Sequence, residues 1–324
     1  MTWVTTSGAI GVQRSAVTDL PLRFTADLLV AAVAGANSER HMRIFVLVVA
    51  LVVLSLVVVL AFADYRWRSQ STAFVERLER GVATAPRSVY SPAELEGLPA
   101  PVTRYFRAVL RDGQPFVRRV RFNQTGEFLV RPTPDGWRPF TATEHCTALP
   151  AGFVWDARIR MAPGLAVRVR DASIGGAGSM RASALGLFTM FSVEGTPEIG
   201  AGALHRYLGE AVWFPTALLP SQGVVWTPID DSSARAILTV ASTTVRLEFR
   251  FGADGLVRGV FTPERARDVN GRGVPTPWQG RWFEYEEHDG MRIPVRGEVE
   301  WILPEGPRVY WRGRVTEISY EYHE

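Results

Sequence analysis

The sequence predicts an α+β protein: an N-terminal transmembrane helix, then a strongly curved antiparallel sheet, an open half-barrel, with covering helices. Three observations predict it. Residues 44–63 (IFVLVVALVVLSLVVVLAFA) carry no charge. Beyond Pro115 the apolar residues recur with a period of two. Two amphipathic helical segments, near 101–111 and 197–213, supply apolar faces for a one-sided sheet to pack on. A two-sheet sandwich is the alternative arrangement.

The apolar run sets the first element. At 1.5 Å per residue it spans about 30 Å, the thickness of a bilayer's hydrocarbon core. Ala61-Phe62-Ala63 also reads as a small-x-small signal cleavage site, but the run exceeds a usual signal peptide, so an uncleaved anchor is the leading expectation. Residues 1–43 form an N-terminal tail without clear periodicity. Met42-Arg43 directly before the run looks like a translation start, so the first 41 residues are expected to reflect a start assigned too far upstream; a short helix over 24–36 is the alternative. Two arginines precede the span within 20 residues (Arg40, Arg43) and four follow it (Arg66, Arg68, Arg77, Arg80), which mildly favours a cytoplasmic body.

Residues 64–90 read as a juxtamembrane helix and linker, with Tyr65 and Trp67 suited to the membrane interface. The body is expected over 91–324. It opens with Ser91-Pro92-Ala93-Glu94, a capping-box pattern. Val102, Tyr105, Phe106, Val109 and Leu110 then make one helix face, opposite Arg104, Arg107 and Arg111.

Strands follow. In Trp155–Met161 apolar and charged residues alternate, and Val167–Arg170 and Val245–Phe251 repeat the rule. Turn signals such as Pro134-Asp135-Gly136 and His288-Asp289-Gly290 divide the chain to Tyr322 into about ten to twelve strands. The helix begins at Thr196-Pro197-Glu198 and buries Leu204, Tyr207, Leu208, Ala211 and Val212.

Composition excludes several classes. Net charge is +3 and all 36 basic residues are arginine, so the pI near 9.3 reflects guanidinium chemistry and gives no nucleic-acid signature. The lysine-free, Ala/Val/Arg-rich make-up points to a GC-rich bacterial genome. Cys146 is the single cysteine, so no internal disulfide holds the fold. The five histidines lack metal-ligand spacing, and no cofactor motif stands out: Gly175–Ser179 lacks the dinucleotide spacing and reads as a hairpin turn. Glu144-His145-Cys146 gives no thiol–imidazole pair, because on a strand His145 points away from Cys146.

Candidate ligand-binding residues are Trp155, Tyr207, Glu210, Trp213, Phe214 and Trp226. Glu210 lies one turn from Tyr207 and Trp213, where an apolar setting would raise its pKa, but Arg206 at i−4 can simply pair with it. Asp156 and Asp171 are expected on the wet side of their strands, paired with arginines. No catalytic residue is assigned.

GFVWDARIRMAPG (152–164), RYLGEAVWFPTALLP (206–220), EFRFGADGLV (248–257) and YEEHDGMRIPVRGEVEW (285–301) resemble an uncharacterised family of prokaryotic membrane-anchored proteins. The resemblance covers most of Leu98–Tyr322. It implies a membrane-anchored body and transfers no catalytic residue. The strand–Asp-Gly–strand phrases at 249–260 and 285–294 are, more weakly, similar to the LolA-like periplasmic lipoprotein-carrier fold. That resemblance implies acyl chains held between a half-barrel and its helices, outside the cytoplasm. The leading functional expectation is therefore a membrane-tethered module with a cavity for a lipid or other apolar ligand. The alternatives are a hydrolase-type enzyme on a membrane substrate with Glu210 as acid or base, and a scaffold using its arginine face.

Overall fold

The computed structural model describes residues 20–82 and 89–322, with side chains from residue 38 onward. The local signals translate into one long helix and one long sheet. Helix α1 runs Leu20–Arg80. Within it, Ser38–Arg80 is long and apolar enough to cross a membrane, and the 24–36 stretch is helical too. The chain divides into two units, residues 1–59 and 60–324, and the second contains everything that follows.

After a 3-10 turn at Pro92–Leu95, helix α2 (Ala100–Val109) buries Val102, Tyr105, Phe106 and Val109 and leaves Arg104, Arg107 and Arg111 exposed. Glu94 does not close the expected capping box. Its carboxylate accepts from the Ser221 N–H at 3.0 Å and so ties the first turn to the far side of the body.

The sheet has 13 strands, more than the turn signals predicted. Six precede the third helix: β1 (Val117–Leu129), β2 (Trp137–Thr147), β3 (Gly152–Ala162), β4 (Leu165–Ile174), β5 (Ala177–Ala184) and β6 (Phe188–Glu194). Helix α3 (Pro197–Glu210) follows, with the Thr196 hydroxyl accepting from the Ile199 N–H at 3.3 Å and Pro197 in the first turn. Residues 211–213, expected to continue that helix, instead form a 3-10 turn, and further 3-10 turns follow at Pro215–Leu218 and Pro220–Gln222, because Pro215 and Pro220 cannot extend an α-helix. Seven strands complete the chain: β7 (Val224–Pro228), β8 (Ser233–Val240), β9 (Thr243–Phe251), β10 (Val257–Val269), β11 (Arg272–His288), β12 (Met291–Leu303) and β13 (Gly306–Tyr322).

All pairings are antiparallel, in the order β6-β5-β4-β3-β2-β1-β13-β12-β11-β10-β9-β8-β7. The β1–β13 ladder therefore joins two meanders into one sheet, the curled half-barrel that the alternating pattern predicted. Curling brings α3 against β3, β4 and β5 on one arm and β9 and β10 on the other. At one end the arms meet: the Thr243 hydroxyl donates to the Gly176 carbonyl at 3.2 Å. Glycine is required at Gly178, where a Cβ would stand 2.3 Å from the Ile199 carbonyl oxygen.

The concave face is filled with rings. Trp213 meets Phe122 and Trp282 edge-on at centroid distances of 5.0 and 5.1 Å, and Trp226 meets Phe249 at 5.0 Å. The convex face of β3 and β4 is covered as well. Residues 63–80 of α1 lie along it, with Leu78 packed on Val154 and Ala172.

Candidate functional site

Inside the sheet, four charged side chains meet at the last turns of α3. Arg206 is the hub. Its Nη2 donates to Glu144 at 2.9 Å, its Nη1 to Asp171 at 2.9 Å, and its Nε to both oxygens of Glu210 at 3.0 Å. The guanidinium also lies 4.8 Å from the ring centres of Phe153 and Trp155. One cation thus pairs with three carboxyl groups in a setting where the Glu144 side chain has no exposure at all.

Asp171 corrects the expectation that it sits on the wet side. It belongs to the inner register of Val167 and Val169, while Arg168 and Arg170 face outward. Asp156 does lie on the outer face, but under α1 and not in water: it accepts from Trp67 Nε1 at 3.0 and 3.1 Å.

Three carboxyls around one guanidinium leave an excess of negative charge that burial resists. Burial raises the Glu144 pKa well above the ordinary 4.5; Arg206 opposes this and the Glu210 charge adds to it. Burial raises Glu210 too, although Arg206 holds it down more effectively. Glu144 is therefore the more strongly raised of the two. Oε1 of Glu144 receives no donor among the described residues. Burial works against the charge of Arg206, but Glu144, Glu210 and Asp171 outweigh it.

Beside this cluster the core leaves a pocket of about 120 Å³. Phe128, Trp155, Val169, Met180, Trp278, Val299, Tyr310 and Trp311 wall it, with Asp171, Arg206, Glu210 and Arg265 at its polar side. Arg265 comes from β10. It stacks on Trp278 at 4.7 Å and donates to the Tyr310 hydroxyl at 3.1 Å and the Gly202 carbonyl at 3.0 Å. The neighbouring His205 is held neutral: burial and then Arg265 lower its pKa to about 4.

Of the six residues predicted to bind ligand, Trp155 and Glu210 border the pocket. Tyr207, Trp213, Phe214 and Trp226 lie in the packed core, where Tyr207 donates to the Thr147 carbonyl at 2.9 Å and Trp226 to the Leu218 carbonyl at 2.9 Å. Sequence reasoning missed Glu144 and Arg265. A signal existed for the first: Glu144 interrupts the buried register Phe140, Ala142, Cys146 of β2. Cys146 is in the core, and His145 borders an open cleft of about 820 Å³ on the opposite face, beneath α1. Among the described residues, no group of three or more His, Cys, Asp or Glu could hold a metal ion.

Such an arrangement can hold an apolar group against aromatic walls with Glu210 and Asp171 at its polar side. Three solved structures are similar to this chain at low identity and low structural score. A LolA superfamily protein from Nitrosomonas europaea is 11% identical, with a TM-score of 0.36 over 68% of this chain and 92% of its own. A domain named for outer membrane lipoprotein sorting, from Vibrio parahaemolyticus, is 8% identical, with a TM-score of 0.34 over 63% of this chain and 85% of its own. A β-barrel-like protein of a domain of unknown function, from Brucella abortus, is 11% identical, with a TM-score of 0.23 over 64% and 99%. No curated protein matches the sequence. Over residues 96–320, which hold α2, both arms of the sheet and the Arg206 cluster, the sequence matches a family model, and the chain belongs to that family of unknown function, DUF6920.

Proposed function

We propose that the chain is a single-pass, membrane-tethered module, anchored by residues 44–63, whose inner-face pocket binds the apolar end of a lipid or comparable molecule. The observation that carries this reading is the pocket itself: aromatic and aliphatic side chains wall an opening beside a core otherwise packed ring against ring. Its volume, about 120 Å³, sets a limit. Drug-sized ligands occupy roughly 300–1,000 Å³, so this pocket takes the end of a chain and leaves the rest of the molecule outside.

A fatty acid brominated at its chain end tests the reading on the full chain in lipid nanodiscs. Bromine in the pocket quenches Trp155, Trp278 and Trp311. Val299→Phe fills the space and is expected to abolish the saturable part of the quenching without lowering Tm. Quenching that is unsaturable, or identical in the variant, would remove the proposal.

The carboxyl pair favours a second reading, a hydrolase-type enzyme acting on a membrane substrate with Glu210 as base and Glu144 as its proton partner. Glu210→Gln would then abolish turnover of a vesicle-borne ester while leaving chain-end binding intact. Turnover that survives the substitution excludes Glu210 from that role.

A further inference from the structure

The tip of the β5–β6 hairpin touches the end of the apolar run. A Cβ on Gly186 would stand 3.3 Å from the Ala63 carbonyl oxygen and 3.8 Å from the Trp67 Cβ. Ala63 closes the uncharged run 44–63. Around that tip, large apolar side chains face outward: Phe188 is 69% exposed, Met190 64%, Leu165 42% and Leu187 37%. The Leu185 N–H donates to the Ala166 carbonyl at 2.9 Å, which sets the β3–β4 turn beside the hairpin tip and makes the four a single patch.

Backbone geometry adds to the case. Leu185 turns the chain with φ of 55°, a conformation that glycine or asparagine adopts at lower cost. Phe188 pairs with Ala184 on the edge strand, and a bulge between Thr189 and Phe191 leaves Met190 outside the ladder, exposed two residues from Phe188. Behind the tip, Trp67 bonded to Asp156 and Asp64 paired with Arg168 fix residues 63–68 of the helix to β3 and β4. The tip is thereby held level with the boundary between the apolar run and the polar helix that follows. Arg160, exposed near the end of β3, supplies positive charge next to the patch.

We infer that this rim, formed by Leu165, Leu187, Phe188 and Met190, inserts into the bilayer beside the helix as a second membrane contact, with acyl chains as its partner and Arg160 among the headgroups. The inference rests on residues 44–63 spanning the membrane. One helix alone would leave the body free to swivel; a rim that also inserts fixes which side of the body faces lipid.

Fluorophore depth in the full chain tests it. Val52→Cys, Phe188→Cys, Met190→Cys and Val225→Cys are each labelled with an environment-sensitive dye. Cys146 is buried and contributes no label. Val225, 58% exposed on the opposite edge strand, is the apolar control. The proteins are reconstituted into phosphatidylcholine–phosphatidylglycerol vesicles carrying nitroxide lipids. Dyes at Phe188 and Met190 are expected to shift to the blue and to be quenched several-fold more than the dye at Val225, as is the dye at Val52. Quenching at Val52 but not at Phe188 or Met190 overturns the rim contact and leaves the anchor standing. No quenching at Val52 overturns the anchor and the rim with it. A blue shift at Phe188 without lipid quenching, accompanied by cross-linking between copies, would instead assign β6 to pairing with a second chain and also overturns the inference.

Discussion

The two faces of the sheet solve the same problem with opposite chemistry. On the inner face one arginine, Arg206, serves three carboxyls. On the outer face Arg170 lies over Trp67 and Phe74 at 4.9 and 4.5 Å and donates to Ser71, while Asp156 takes the Trp67 N–H. The inner cluster sets three acids against one base and leaves Glu144 with a raised pKa; the outer seam sets Arg170 against Asp156 and spreads the cation over aromatic faces. The difference identifies the inner cluster as the place where protonation changes something. The outer seam acts as a clamp between helix and sheet.

Breaking the inner hub gives the largest expected effect. Arg206→Ala removes the only cation bonded, among the described residues, to Glu144, Asp171 and Glu210 and is expected to destabilise the body by roughly 3–5 kcal/mol in chemical denaturation. His205 comes next. Its folded pKa of about 4 lies below the ordinary 6.5, so the unfolded chain takes up a proton first as pH falls. The stability present above pH 6.5 is lost down to about pH 4, by as much as about 3 kcal/mol, and His205→Gln should remove that acid limb from a plot of stability against pH.

On the outer face, Trp67→Phe leaves Asp156 without its indole donor. A cost of about 1–2 kcal/mol is expected, together with faster proteolysis of the helix segment 64–80. A cost as large as that of Arg206→Ala would erase the contrast between hub and clamp. The smallest effect is the sharpest. Because the Glu144 pKa is raised, the unfolded carboxyl ionises from 4.5 upward while the folded one stays protonated. Stability therefore falls as pH rises through that interval. Glu144→Gln, which keeps a neutral donor in place, should flatten the slope without unfolding the protein.

Much of the frame was legible in the sequence. Period-two alternation in Trp155–Met161 and Val245–Phe251 appears as β3 and β9, and the stripe from Val102 to Val109 is the buried face of α2. β6 was harder to see, since Phe188–Glu194 is exposed on nearly every residue and no alternation marks it. The candidate site was half legible. Glu210 and Arg206 are neighbours on one helix, and their pairing follows from i,i+4 spacing.

What the sequence determined alone are the properties carried by neighbours in the chain: the apolar run, the strand period, the helix faces and the proline stops. Those depend on local geometry, which repeats every two or 3.6 residues. What only the tertiary structure decided is the meeting of Glu144, Asp171 and Arg206, which lie 62 and 35 residues from the arginine along the chain. The curl of the sheet around α3 makes those distances a few ångströms, removes the water that would have screened the charges, and turns ordinary carboxyls into a proton-holding cluster.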